Sequence, residues 1–281
     1  MLISDAIKKG TLKLKNNNIE FPRLKARLLM QFILNKSLQY IIANDMKELN
    51  LEEEKEYFLS INKLKQGNPL EYITHQREFM KFNFFVDENV LIPRQDTEIL
   101  VEEVIDIAKK INAKKILDLC TGSGAIAVSL AKYLPTVEVM AVDISKDALN
   151  IAKKNAASNN ADKQITFIES DLFANLQNEK FDIIVSNPPY IKSDVIGMLS
   201  KEVRKEPQIA LDGGKDGLYF YDKIVKESYL YLKSGGYLCL EIGFDQKIDV
   251  IKLIENEEKF ENTYSKKDLY NNDRIVVTKL K

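Results

Sequence analysis

The chain of 281 residues holds only two cysteines, Cys120 and Cys239, and one histidine, His75. Two thiols isolated in apolar runs make neither a disulfide framework nor a metal-ligand spacing, which excludes the disulfide-stapled secreted classes and zinc modules. Eleven glycines and 7 prolines are too few for a collagen-like or low-complexity chain. Charge of one sign is also lacking. Forty-one basic side chains face 42 acidic ones, so the global positive field used in sequence-independent nucleic-acid binding is absent. No apolar run approaches the ~20 residues that cross a bilayer. These absences lead us to expect a soluble, cytoplasmic protein with no membrane and no direct nucleic-acid partner, and nothing demands more than a monomer.

What is present is a 45% hydrophobic, 30% charged composition, enough for two domains or one enlarged α/β domain. From Leu2 to about Gly67 apolar residues recur at helical steps, as in Leu24, Leu28, Leu29, Phe32 and Ile33, with Pro22 suited to a first turn. A second helix is expected over Leu51 to Lys65, after an acidic start. We read residues 1–74 as a small all-α domain. Residues 75–95 read as a β-hairpin linker, with Phe79 to Val86 strand-like and Asp87-Glu88-Asn89 as its turn. Over 96–281 strand and helix alternate, the pattern of a mostly parallel sheet covered by helices. The expected strands are Lys115–Cys120, Val137–Val142, Ile165–Glu169, Phe181–Ser186 and Gly236–Ile242. An antiparallel C-terminal pair, Glu261–Ser265 and Arg274–Leu280, completes a seven-stranded, Rossmann-like α/β sheet of class I methyltransferase type.

Ligands of open α/β sheets bind at the carboxyl ends of strands. The first strand opens there into Cys120-Thr121-Gly122-Ser123-Gly124, whose glycines admit close backbone approach before a helix N-terminus. Alone this turn also passes for a relaxed dinucleotide motif or a simple strand-to-helix turn. Asp143 ends the second strand where its carboxylate could take both hydroxyls of an adenosine ribose, or merely cap the next helix. Asp171 could accept the adenine amino protons and Leu172 could cover the ring; a loop aspartate and a core leucine are the plain alternatives.

The fourth strand ends in Asn187-Pro188-Pro189-Tyr190. Two prolines remove two backbone donors, and Asn187 is confined to an extended conformation by the proline after it. The Asn187 side-chain oxygen and the Pro188 carbonyl can each accept one N–H of a planar amino group, and Tyr190 can stack on its plane. Such a corner suits methyl transfer to an sp² nitrogen, which must leave conjugation as it turns tetrahedral and needs no strong base before attack. A proline-rich turn is the structural alternative.

Taken with Leu91-Ile92-Pro93-Arg94, Glu206-Pro207, Asp216-Gly217-Leu218 and Leu240-Glu241-Ile242-Gly243, these motifs make nearly the whole chain resemble the HemK-like protein-(glutamine-N5) methyltransferases that modify peptide chain release factors. The resemblance implies S-adenosylmethionine as methyl donor and the glutamine of a release factor's Gly-Gly-Gln tripeptide as acceptor. It implies that Cys120 to Gly124, Asp143, Leu172 and Asn187 contact the cofactor and Asn187 to Tyr190 the glutamine, while the helical domain grips the release factor. Cys120 stands where the family commonly has glycine, and Leu172 where some relatives carry tryptophan. Lys192 to Gly217 reads as a substrate-binding loop or lid, with Gly213, Gly214 and Gly217 as hinges. His75, at the linker, reads as structural or solvated. The competing readings are an adenine-N6 methyltransferase, which presents the same planar nitrogen, a noncatalytic adenosyl-ligand sensor, and an NAD-dependent dehydrogenase, which leaves the proline corner without a purpose.

Overall fold

The computed structural model, which describes residues 1–177 and 179–281, divides into Met1–Gln76 with Ser200–Lys205 and Arg77–Leu199 with Glu206–Lys281. The first unit is built of helices: α1 (Ile3–Lys15), α2 (Pro22–Leu34), α3 (Leu38–Ala43), α4 (Leu51–Lys65) and α5 (Leu70–Thr74). Pro22 starts α2, where a missing N–H costs nothing. Asn50 and Glu53 close a reciprocal capping box on α4, satisfying two donors that the helix itself cannot. Leu14, Leu29, Met30, Tyr57, Ile61 and Leu64 are buried together, and the Tyr57 hydroxyl donates to the Ala26 carbonyl at 3.3 Å. The buried face of α2 runs Ala26, Leu29, Met30, whereas Leu24 and Leu28 are 55% and 37% exposed. Helical period was visible in the apolar stripe; the orientation of that stripe was not. Ser200–Lys205, from the middle of the long connection, is held in this unit by an ion pair between Lys25 and Glu202 at 2.5 Å.

The second unit begins with a hairpin, β1 (Arg77–Phe79) and β2 (Phe82–Phe84). Its turn is Met80-Lys81, not Asp87-Glu88-Asn89. Both turn residues have positive φ, 49° and 65°, the mirror-image turn that matches strand twist and usually needs Asn-Gly. Two tertiary bonds hold it: Met80 N–H donates to Glu98 at 2.7 Å and the Tyr133 hydroxyl donates to the Met80 carbonyl at 3.1 Å. Phe79 and Phe84 are buried in one cluster with Leu100 and Val104, so from Arg77 onward the segment expected to be a linker belongs to a core. Asp87 instead makes a side-chain turn, accepting from Asn89 N–H at 3.0 Å, and no strand follows it.

Next come α6 (Thr97–Ile111), β3 (Lys115–Leu119), α7 (Ala125–Tyr133), β4 (Glu138–Asp143), α8 (Lys146–Ser158), β5 (Ile165–Glu169) and β6 (Phe181–Ser186). After three short 3-10 turns follow α9 (Tyr219–Tyr231), β7 (Leu232–Glu241), α10 (Lys247–Asn256), β8 (Phe260–Lys267) and β9 (Asp273–Leu280). The strands form one sheet in the order β5-β4-β3-β6-β7-β9-β8, parallel through β7, with β9 antiparallel to both its neighbours. The class I methyltransferase sheet expected from the sequence is therefore present. Alternation explains the near-continuous apolar strands, because a covered sheet buries both its faces. Ile116, Val139, Ile183 and Val185 join the layer of α6 and α7, while Leu117, Met140, Ile184 and Leu240 join that of α9 and α10.

Lys81 is exposed and strained by its φ, and glycine relaxes that strain. Lys81→Gly is expected to raise stability by about 1 kcal/mol, read as a higher urea midpoint with an unchanged slope.

Candidate active site

β3 runs into the turn Cys120–Gly124, and buried carboxylates shape it. Asp118 is fully buried and accepts from the Thr121 hydroxyl at 2.6 Å and Ala127 N–H at 3.2 Å. Loss of water pushes its carboxyl up to about 7, since burial disfavours the charged form. Asp143 accepts from Gly122 N–H at 2.8 Å and Ser145 N–H at 2.9 Å, one bond to each oxygen, which leaves each oxygen a lone pair. Burial raises this carboxyl as well. The cap of α8 is made not by Asp143 but by Ser145, whose side chain accepts from Ala148 N–H. Asn155, buried under the turn, donates to the carbonyls of Ser123 and Phe85 and accepts from Phe85 N–H at 2.7 Å. It ties the hairpin's exit to the glycine turn.

A cleft opens at this carboxyl edge, with about 870 Å³ of empty space counted to its mouth. Cys120, Gly122, Asp143, Asp171, Leu172, Asn187 and Pro189, all anticipated from the sequence, line it. A Cβ on Gly122 would meet nothing within 4 Å, so the cleft floor is bare backbone there. Thr121, Ser123, Gly124, Pro188 and Tyr190 are not lining residues. Thr121 and Ser123 are buried inside the turn, and a Cβ on Gly124 would lie 3.0 Å from that of Ala152. The Tyr190 ring packs against the apolar layer of α9 and α10, and its carbonyl accepts from Gln246 Nε2 at 3.0 Å. Asp171 keeps an exposed carboxylate 3.9 Å from Lys223.

Besides Gly122, two lining residues have left-handed backbones, Cys120 with φ 59° and Leu172 with φ 49°. At such a φ glycine is the unstrained residue. Burial pushes the Cys120 thiol well above the ordinary range, which disfavours the thiolate.

Sequence reasoning missed the opposite wall, which includes Asn89, Val90, Leu91, Pro207, Ile209 and Ala210. Glu206 fastens its two segments together, accepting from Arg94 at 2.5 Å and from Ile92 N–H at 3.0 Å. Both motifs stood among the resembling segments, but no local pattern joins positions so distant in sequence. The anticipated hinge glycines serve close approach instead: a Cβ on Gly213 would lie 2.6 Å from Tyr190 Cα, and one on Gly217 2.7 Å from Gln246 Nε2. The root of the long connection is closed by a parallel bridge between Ile191 and Asp212. His75 lies in the helical unit. Among the described residues no cluster of His, Cys, Asp or Glu could hold a metal ion, and no helix is long and apolar enough to cross a membrane.

A parallel sheet ending in an inserted antiparallel strand, with an acidic second strand end and a proline corner after β6 on one cleft, defines a class I methyltransferase. Comparison with known proteins narrows this. Residues 95–214 match the methyltransferase small domain and residues 5–74 the PrmC N-terminal domain. A release factor glutamine methyltransferase of Clostridium acetobutylicum is 43% identical over 99% of this chain and 98% of its own. One of Fusobacterium nucleatum subsp. nucleatum is 38% identical over 98% and 78%. A solved relative in fold only, the hMettl16 catalytic domain in complex with the MAT2A 3'UTR hairpin 6, has a TM-score of 0.58 at 14% identity, covering 82% of this chain and 86% of that one. The chain belongs to the release factor glutamine methyltransferase family.

Cys120→Gly is expected to stabilise the protein by about 1 kcal/mol by relieving the positive φ. Arg94→Met removes the cation facing a buried carboxylate and is expected to cost about 3 kcal/mol. Urea unfolding measures both.

Proposed function

We propose that the protein transfers a methyl group to the side-chain amide nitrogen of the glutamine in the Gly-Gly-Gln tripeptide of peptide chain release factors, with S-adenosylmethionine as donor. The observation that carries this reading is the convergence of Asp143, Leu172, Asn187 and Pro189 on one cleft. The cleft suits the donor. Asp143 has a lone pair left on each oxygen for ribose hydroxyls, the bare backbone at Gly122 admits a close approach, and Ile144, Ala148 and Leu172 offer apolar cover for a purine. Asp171, at the mouth, is placed to accept from the adenine amino group.

When bound, the donor supplies a methyl carbon made electrophilic by its sulfonium. The chain's part is placement. Asn187 Oδ1 and the Pro188 carbonyl accept the two amide hydrogens of the glutamine, holding its nitrogen with the lone pair turned toward the cleft. Acceptors fixed in advance favour the pyramidal nitrogen over the planar one, which is where the rate gain arises. Bond-making precedes proton loss, so a carboxamide oxygen suffices where a strong base would otherwise be needed. Tyr190 fixes the corner from behind through its carbonyl bond to Gln246 and the packing of its ring against the apolar layer of α9 and α10. The helical unit, with Leu24 and Leu28 exposed, takes the release factor itself, and the enzyme works as a cytoplasmic monomer.

With labelled S-adenosylmethionine, methyl is expected on a release factor and not on one whose Gly-Gly-Gln glutamine is replaced. Equal labelling of both, or labelling of nucleic acid alone, overturns the assignment. Asn187→Ala is expected to fold and to lose about 10²-fold in turnover.

A further inference from the structure

Tyr219 opens α9 and lines the cleft with half of its surface exposed. Its backbone is fixed: Tyr219 N–H donates to the Gly213 carbonyl at 3.1 Å, and a Cβ on Gly214 would lie 3.1 Å from Tyr219 Cβ. Phe220, which also lines the cleft, stands at 86° to the Tyr219 ring with 5.1 Å between centroids, and among the described residues no ring lies parallel on it. We propose that Tyr219 is a further donor-binding residue, the aromatic surface on which the adenine ring stacks. The proposal rests on the S-adenosylmethionine reading of the cleft and adds to Asp143, Asp171 and Leu172 a contact that those residues do not supply.

Lys223 ties this ring to the purine end of the cleft. Residues four apart share a helix face, so Lys223 rises from α9 on the same side as Tyr219. Its ammonium sits over the Tyr219 ring, 4.6 Å from the centroid, and 3.9 Å from Asp171 Oδ2. One cation therefore reaches both the ring and the carboxylate assigned to the adenine amino group, which sets ring and carboxylate side by side. The pair engages Oδ2 and leaves Oδ1 for the amino hydrogens. Cations prefer an aromatic face to its edge, because the quadrupole is negative there. With Lys223 on one face, the other is left for a flat, electron-poor partner, and of the donor's three parts only the purine is flat; ribose and amino-acid tail have no π surface to offer. Ile144, Ala148 and Leu172 give that purine aliphatic cover only, so the one kind of contact missing from the lining is the one Tyr219 can make.

The test is calorimetry on the full chain with two probes, S-adenosylhomocysteine and adenosine. Tyr219→Ala is expected to weaken both by about tenfold, the range of base stacking on an aromatic side chain, while Tyr219→Phe, which keeps the ring, binds both within about twofold of the wild type. A second readout uses the wild type alone: in its complex with S-adenosylhomocysteine, nuclear magnetic resonance shows an intermolecular Overhauser effect between the Tyr219 ring and H2 or H8 of the adenine. Tyr219→Ala binding both probes as the wild type does overturns the proposal. So does a loss confined to S-adenosylhomocysteine, which puts the contact at the amino-acid tail, and so does a Tyr219 ring without an Overhauser contact to the purine. If Tyr219→Ala fails to fold, the wild-type Overhauser measurement decides alone. A wild type that binds neither probe defeats the donor reading itself, whereas a wild type that binds both with Tyr219→Ala unimpaired defeats only the place given to Tyr219.

Discussion

A carboxylate withdrawn from water has to be met by donors, and this constraint organises the carboxyl edge of the sheet. Asp118 collects a hydroxyl and a backbone N–H and so sets the turn after β3. Asp143 collects two backbone N–H groups and so fixes where that turn meets β4. Glu206 collects Arg94 and Ile92 and draws the far wall over the cleft. Asp268, in the loop between β8 and β9, accepts from Tyr270, Asn272 and Arg274. Asp118 and Asp268 bind nearby backbone and side chains, whereas Asp143 and Glu206 reach segments remote in sequence, and they do so near the strand ends, where ladder bonds run out. The edge is rigid because its charges have nowhere else to go.

That rigidity is bought partly with strain. Cys120 and Leu172 both hold left-handed backbones beside the cleft, a conformation that persists in an L-residue only where the surroundings overdetermine it. Cys120 is fixed on one side by β3 and on the other by the bond from Thr121 N–H to the Val142 carbonyl at 2.9 Å. The same logic governs Met80-Lys81, far from the cleft, where Glu98 and Tyr133 hold a turn that its own residues do not favour. Local preference and final conformation disagree at these places, and tertiary bonds decide between them.

The sheet was legible because its strands announce themselves as apolar runs between breakers, and two-sided burial needs no finer pattern. The glycine turn, Asp143 and the Asn187 corner were legible because topology puts every strand end on one edge. What stayed hidden was pairing across distance. Nothing near Glu206 names Arg94, because a buried ion pair leaves no period in the sequence. The hairpin turn was misplaced because Asp87-Glu88-Asn89 has better turn chemistry than Met80-Lys81. Asp87 does make a turn, but Phe79 and Phe84 must reach the same core, and that sets the register. Gly213 and Gly217 read as hinges for a similar reason: a glycine that admits motion and one that admits a neighbouring backbone look alike until the neighbour, Tyr190, is seen.

Leu172 carries one more consequence. It lines the cleft in a chain with 12 tyrosines and no tryptophan, so nothing in the protein absorbs at the red edge of the indole band, beyond the reach of tyrosine. A single indole placed there would be the sole fluorophore of its kind, reporting purine contact by quenching against a dark background.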